Sequence, residues 1–61
     1  MKLEKYLEVK GLTKDDFARI IDVSDSYIYA LVRELVHPGR HLAKLIELQT
    51  DGLVTRDDWL K

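Results

Sequence analysis

The chain of 61 residues is long enough for one small domain, and it contains no cysteine. A domain of this size buries a modest share of its surface, and without cysteine neither a disulfide nor a thiolate metal site can stabilise it. The formal net charge of −1 differs from the excess of basic residues that is typical of a nucleic-acid-binding domain. No apolar run approaches the roughly 18 residues of a membrane-spanning helix, and no signal-like amino terminus is present. We therefore expect a soluble, cytoplasmic protein stabilised by capped helices, with or without a partner subunit.

Charge is distributed unevenly along the chain. Residues 1–24 carry five basic and five acidic side chains, and residues 45–61 carry two basic and four acidic ones. Residues 25–44 carry three basic and two acidic side chains and also contain His37 and His41. Any phosphate-facing surface is therefore expected in the middle of the chain.

Three helix starts are marked by capping residues. Thr13 and Asp16 have the spacing of a capping box, in which the hydroxyl accepts a backbone N–H and the carboxylate reaches back. Ser24 and Thr55 occupy equivalent positions, and Asp58 is the box partner of Thr55. An apolar residue precedes each of the three caps and another follows four residues later, as in a hydrophobic staple. This pattern predicts several short helices joined by tight turns.

In chain order, the apolar spacing predicts helices over residues 2–10, 14–21, 25–35 and 40–49. A final helical turn or short helix is expected over 55–60. Gly11, the stretch His37-Pro38-Gly39, and Gly52 separate these elements. The inward-facing residues are expected to be Leu3, Tyr6, Leu7, Phe17, Ala18, Ile21, Ile28, Leu31, Val32, Leu35, Leu42, Leu45 and Ile46. The sequence thus predicts an all-α fold, a compact single domain of four to five helices over residues 1–61.

Only Asp22, Val23 and Ser24 separate the second predicted helix from the third. Two short helices joined by about three residues are typical of a helix-turn-helix, whose second helix lies in the major groove of DNA. We expect this motif over about 13–35, with Ala18 allowing the two helices to approach closely.

The outward face of the third helix is expected to carry the residues that read base edges: Ser26, Tyr27, Tyr29 and Ala30. Hydroxyl groups can exchange hydrogen bonds with bases and phosphates, and alanine can contact a thymine methyl group. Alternatively, the two tyrosines pack against neighbouring helices. The groove-facing interpretation is favoured for Tyr29, whereas both interpretations stay open for Tyr27.

Residues 13–32 resemble the helix-turn-helix of the phage Cro and repressor families. Residues 40–47 (RHLAKLIE) and 50–58 (TDGLVTRDD) are similar to the tail of small Cro-like regulators. The resemblance implies a phage or prophage transcriptional regulator that binds operator sequences in double-stranded DNA inside a bacterial host cell. It also implies a weak homodimer on palindromic sites.

Two residues depart from the family pattern. Asp22 stands where the family turn usually has glycine, so we expect a left-handed backbone at an aspartate. Asp25 replaces a glutamine often found at the start of the recognition helix. A carboxylate there stabilises the helix electrostatically, and it could also accept a hydrogen bond from cytosine N4. The stabilising role is favoured.

The resemblance also implies which residues contact phosphate. Thr13 and Lys14 would bind on one flank, and Arg33, His37 and Arg40 would anchor the other, with His41 and Lys44 as further candidates. The N–H groups at the start of the fourth helix would also suit an anion. The alternative for each basic residue is a solvated charge.

We expect no enzyme, metal site, cofactor or small-molecule substrate. The chain has two histidines and no glycine-rich phosphate loop, and Pro38-Gly39 between His37 and His41 removes the helical spacing of a paired metal site. The alternative function is a helical protein-interaction module, such as an antirepressor or an adaptor whose acidic carboxyl-terminal surface binds a basic partner. The near-zero net charge favours this alternative, whereas the third-helix residues favour DNA.

Overall fold

A computed structural model of the protein describes residues 1–59. This part of the chain contains four α-helices and a short 3-10 helix, and it contains no β-strand. The α-helices are α1 (Leu3–Lys10), α2 (Lys14–Ile20), α3 (Asp25–Val32) and α4 (Arg40–Gln49), and the 3-10 helix spans Arg56–Trp59. The predicted all-α fold is therefore confirmed. The prediction of a final turn ending at residue 60 extends one position beyond the described residues.

The predicted helix starts agree with local hydrogen bonding. Thr13 Oγ1 accepts a hydrogen bond from the Asp16 N–H at 3.0 Å, and the Thr13 N–H donates to the Asp16 carboxylate at 3.5 Å, so both halves of the capping box are present. Ser24 Oγ accepts from the Tyr27 N–H at 3.1 Å. At Thr55 one of the two capping-box hydrogen bonds forms, in which the Thr55 N–H donates to the Asp58 carboxylate at 2.8 Å.

The prediction that the third helix extends to residue 35 is wrong. α3 ends at Val32, and Glu34 has a left-handed φ of 60°. The Leu35 N–H donates to the Ala30 carbonyl at 2.9 Å, which closes the helix in the way that usually involves glycine. Leu35, predicted to lie in the core, is 68% exposed. The apolar spacing continues past the point where the backbone changes direction, so periodicity misplaces this residue.

The core lies among the four helices and the 3-10 helix. On α1 and α2 the predicted inward residues are buried, and the rings of Tyr6 and Phe17 meet edge to face with centroids 6.1 Å apart. On α4 the prediction is partly right, because Ile46 is buried while Leu42 and Leu45 are half-buried at the edge of the core. Among the described residues, the buried cluster consists of Leu3, Tyr6, Leu7, Phe17, Ala18, Ile21, Ile28, Leu31, Val32, Ile46, Val54 and Trp59.

One buried hydroxyl group joins α4 to the segment that follows it. Thr50 is the C-cap of α4, and its side chain is 1% exposed. Its Oγ1 donates to the Ile46 carbonyl at 2.8 Å and accepts from the Val54 N–H at 3.0 Å. The hydroxyl thereby positions Val54, which lies entirely within the core.

The beginning and the end of the described chain are also in contact. The Lys2 ammonium donates to the Glu34 carboxylate at 2.9 Å and to the Asp58 carbonyl at 3.0 Å. The Met1 amino group lies 2.8 Å from the Asp58 carboxylate. These contacts hold α1 against both the end of α3 and the 3-10 helix.

Candidate nucleic-acid interface

The α2 and α3 helices pack against each other and are joined by residues 21–24. Ala18 on α2 and Ile28 on α3 are buried at the core, and Val23 in the connection packs against it. Asp22 has a φ of 57°, so the predicted left-handed backbone is confirmed. The Val23 N–H donates to the Ala18 carbonyl at 2.9 Å, which closes a tight turn. The position of α3 relative to α2 is thus fixed by local hydrogen bonds and by shared core residues.

The four predicted base-reading residues differ in accessibility. Ser26 is exposed in the first turn of α3, and Tyr29 is 48% exposed near its centre. Ala30 is half-buried. Tyr27 is half-buried and packs against the core, which agrees with the packing interpretation of that residue. Asp25, at the first position of α3, is exposed. Ser26 and Tyr29 are therefore the most accessible side chains of the predicted set.

Tyr29 lies beside the start of α2, in contact with another predicted site residue. The Lys14 ammonium nitrogen lies 5.2 Å from the centroid of the Tyr29 ring, a distance typical of a cation–π interaction. Both side chains line an open groove of about 370 Å³. Thr13 lines the same groove, so three of the predicted residues, from two helices, come together here.

The groove also contains residues that the sequence analysis did not single out. Glu4 and Glu8 on α1 and Asp15 on α2 are its acidic lining residues, Lys14 is the basic one, and the Glu8 carboxylate also pairs with Lys5 at 3.4 Å. The other lining residues are Leu7, Leu12 and Val32. The α1 carboxylates have no sequence signal of their own, because exposed glutamates are ordinary on a helix surface and only the packing of α1 brings them to Tyr29.

A further negative charge lies close to Thr13. Hydrogen bonds from Thr13, by its side chain and its backbone N–H, hold the pKa of the Asp16 carboxyl below its usual value. Burial opposes this effect, and Arg19, 2.8 Å from Asp16, adds to it. Asp16 is therefore ionised at neutral pH, and a phosphate approaching Thr13 would meet this charge.

The predicted residues of the other flank follow α3. Arg33 is the C-cap of α3, His37 lies in the connection to α4, and Arg40 is the first residue of α4. All three are exposed, and within residues 1–59 their side chains make no hydrogen bond or ion pair. His41 and Lys44 on α4 are exposed as well. The first turn of α4 has no acidic residue and its N-cap, Gly39, provides no side-chain cap. These charges are therefore accessible to a partner.

The described part of the chain meets the requirements of neither a metal site nor a membrane-spanning helix. Residues 1–59 contain no group of three or more histidine, aspartate or glutamate side chains placed to hold a metal ion. Within the same range no helix is both long enough and apolar enough to cross a membrane. No known protein family, curated protein or solved structure matches this chain.

Proposed function

We propose that this protein is a sequence-specific regulator that binds double-stranded DNA, with α2 and α3 forming a helix-turn-helix and α3 acting as the recognition helix. The observation that carries the proposal is the α2–α3 pair itself. The two helices are short, they pack together with Ala18 and Ile28 buried in the shared core, and a tight turn with left-handed Asp22 joins them. This arrangement is the one in which a second helix can project from the surface into the major groove.

The accessible face of α3 supports a role in base readout. Ser26 and Tyr29 are exposed and carry hydroxyl groups that can donate and accept hydrogen bonds. Ala30 presents a methyl group that can contact thymine, and Tyr27 borders this face while packing on the core. We propose that Ser26, Tyr29 and Ala30 face the bases and that Tyr27 chiefly supports α3.

Phosphate contacts are proposed on both sides of α3. The exposed cations Arg33, His37 and Arg40 follow the helix and have no competing partner among residues 1–59. Thr13 and Lys14 lie at the start of α2, the other flank. By analogy with the phage Cro and repressor families, which the sequence resembles, the protein would bind an operator as a dimer in the cytoplasm of a bacterial host.

A second candidate function is a protein-interaction module with a basic partner. The observation that favours it is the groove beside Tyr29, whose lining includes three acidic residues and one basic residue. Such a groove would attract a lysine or arginine side chain and repel phosphate. We prefer DNA binding because the α2–α3 geometry and the cations after α3 are independent of that groove.

Selection from a pool of random DNA duplexes tests the proposed function. We expect enrichment of one motif, bound on the order of a thousandfold or more tightly than unrelated DNA at the same salt concentration. Arg33→Glu should weaken binding both to the enriched motif and to unrelated DNA, whereas Arg56→Glu, the same charge reversal in the 3-10 helix, should bind both as the wild type does. If the wild-type protein enriches no motif and does not bind unrelated DNA at low salt, the proposal is wrong and the interaction module replaces it.

A further inference from the structure

We infer that Lys14 is a positioning residue for Tyr29, so that a side chain on α2 helps to set the base preference of α3. This inference rests on the proposed function and deepens it. It replaces the phosphate-binding role of Lys14, which the family resemblance implies and which is included among the phosphate contacts proposed above. Three observations carry it: the distance between the two side chains, the burial of Lys14, and the charges around them.

The first observation is the contact geometry. The Lys14 ammonium nitrogen lies 5.2 Å from the Tyr29 ring centroid, within the range where a cation is attracted to the face of an aromatic ring. Tyr29 is 48% exposed, and an exposed side chain on a helix can otherwise change rotamer freely. A cation over one face of the ring restricts that motion. The other ring face, the ring edge and the hydroxyl group remain for DNA.

The second observation concerns Lys14 alone. Lysine at a phosphate-binding surface normally extends its ammonium into solvent, where strong hydration keeps it mobile. Lys14 is instead half-buried in the groove. Within residues 1–59 its ammonium makes no ion pair, although three carboxylates line the same groove. The Tyr29 ring is therefore its defined interaction partner.

The third observation is the electrostatic setting. Glu4, Glu8 and Asp15 line the same groove as the pair, and negative charges outnumber positive ones there even though Lys5 lies 3.4 Å from the Glu8 carboxylate. A DNA phosphate that approached Lys14 would enter this negatively charged region, and like charges repel strongly at short range. A cation–π contact with Tyr29 faces no such penalty. The groove therefore favours Lys14 as a support for Tyr29 over Lys14 as a phosphate anchor.

The contact itself can be tested in the free protein by NMR. If the ammonium lies over the ring, the ε-methylene protons of Lys14 should be shifted upfield by the ring current of Tyr29. Tyr29→Leu should remove that shift, while the thermal unfolding curve verifies that the variant is folded. An ε-methylene shift that is the same in the wild type and in Tyr29→Leu would overturn the inference.

The role in specificity is tested by DNA binding with two substitutions at Lys14. Lys14→Met keeps the length of the side chain but removes its charge, and Lys14→Arg keeps a cation that can stack on the ring. We expect Lys14→Met to reduce discrimination at the base step read by Tyr29 by about tenfold, with little change in salt dependence. Lys14→Arg should restore most of the discrimination. Lys10→Met, an equal loss of charge at the end of α1, should leave it unchanged.

The double variant separates positioning from phosphate binding. In a Tyr29→Leu background, Lys14→Met should cause no further loss of discrimination, because its effect acts through the ring. If Lys14→Met instead weakens binding to all sequences alike and makes the salt slope shallower by about one unit, Lys14 binds phosphate and the inference is wrong. Failure of the wild-type protein to prefer any DNA would overturn the proposed function, and this role with it.

Discussion

Within residues 1–59, three non-glycine residues hold a left-handed backbone, and each lies just after a helix. Asp22, Glu34 and Asp51 have φ values of 57°, 60° and 54°. This region costs an L-residue roughly 1–2 kcal/mol relative to its preferred conformations, and aspartate tolerates it better than most. The Glu34 side chain contributes an ion pair with Lys2 at 2.9 Å, whereas within residues 1–59 the Asp22 carboxylate makes no hydrogen bond or ion pair. The strain at Asp22 is therefore not offset by a side-chain contact.

Replacing Asp22 with glycine should consequently stabilise the protein. Glycine adopts this backbone without a Cβ penalty, so Asp22→Gly should raise the free energy of unfolding by about 0.5–1 kcal/mol. Glu34→Gly is the matched control, and its gain should be smaller because the contact with Lys2 is lost. Urea denaturation of the three proteins measures both effects. A clear loss of stability in Asp22→Gly would show that the Asp22 side chain makes a stabilising contact.

Tyr29 and Arg33 are expected to contribute differently to DNA binding. Tyr29→Ala should flatten the preference at one base step of the operator, a loss of about 1–3 kcal/mol of discrimination, because a base contact is removed. Arg33→Ala should weaken binding to all sequences alike and make the slope of log affinity against log salt shallower by about one unit, because a phosphate contact is removed.

Binding isotherms for the cognate site and its single-base variants, at several salt concentrations, separate these two effects. Arg56→Ala is the control for Arg33→Ala, since it removes the same charge at an exposed position of the 3-10 helix. If both Tyr29→Ala and Arg33→Ala bind every DNA as the wild type does, α3 is not the recognition helix.

At the scale of the secondary-structure elements, the end of α4 depends on one side chain. Thr50 caps the helix and hydrogen-bonds to Ile46 and to the buried segment at Val54. Thr50→Val has nearly the same shape but leaves the Val54 N–H without its partner. An unsatisfied buried donor costs about 1–3 kcal/mol, so the free energy of unfolding should fall by that amount.

Thr50→Ser tests whether the hydroxyl group is responsible. Serine retains the donor and acceptor and loses only a methyl group, so it should be less destabilising than valine. Chemical denaturation of the two variants gives the comparison. Valine as stable as the wild type would indicate that water or another group satisfies the Val54 N–H, and that the hydroxyl does not hold this segment.

For the whole molecule, two carboxylates link stability to acid pH. Hydrogen bonds from Thr13, followed by the charge of Arg19, lower the pKa of Asp16. Burial acts to raise the pKa of Asp58, but hydrogen bonds from the Met1 amino group and the Thr55 N–H, together with the amino-group charge, lower it overall. Both carboxyls are therefore more acidic in the folded protein than in the unfolded chain.

Because the pKa of each carboxyl is lowered in the folded state, its ionised form stabilises the folded protein. This stabilisation is present above the unfolded pKa of about 3.8 and is lost as pH falls through the folded pKa. We expect the free energy of unfolding to decline below about pH 4. Asp16→Asn should make that decline shallower, whereas Asp15→Asn should change it less, because within residues 1–59 the Asp15 carboxylate makes no hydrogen bond or ion pair. Denaturation at a series of pH values measures the slopes. An identical slope in Asp16→Asn would contradict the linkage.

Self-association is a further property of the whole molecule. Several large apolar side chains remain exposed, among them Val9, Leu35 and Leu48 at 59%, 68% and 64%. We expect weak self-association of the free protein, strengthened on DNA with two half-sites because each bound copy favours the other. Sedimentation over a range of protein concentrations, with and without the selected DNA, measures both states. A strict ratio of one protein per preferred site would contradict the expectation.

The sequence alone determined the features that depend on neighbouring residues. The capping box of Thr13, the Ser24 cap and the bounds of α4 all follow from interactions within a few positions along the chain. Because such interactions form in any context that permits a helix, spacing and residue type are sufficient to predict them. The all-α class follows as well, since every apolar segment repeats with a helical period.

The tertiary structure decided what depends on residues far apart in sequence. α3 ends at Val32, contrary to its apolar spacing, and the Glu34 side chain just beyond it pairs with Lys2, 32 positions away. Lys14 approaches Tyr29, and the α1 glutamates line the same groove, because three helices pack around one core. Residue spacing along the chain does not predict these distances, because side chains that line one groove can lie on different helices at unrelated positions in the sequence. The helices were therefore predictable from the sequence, whereas the charge and the supporting contacts around the proposed recognition residues appeared only when the chain was folded.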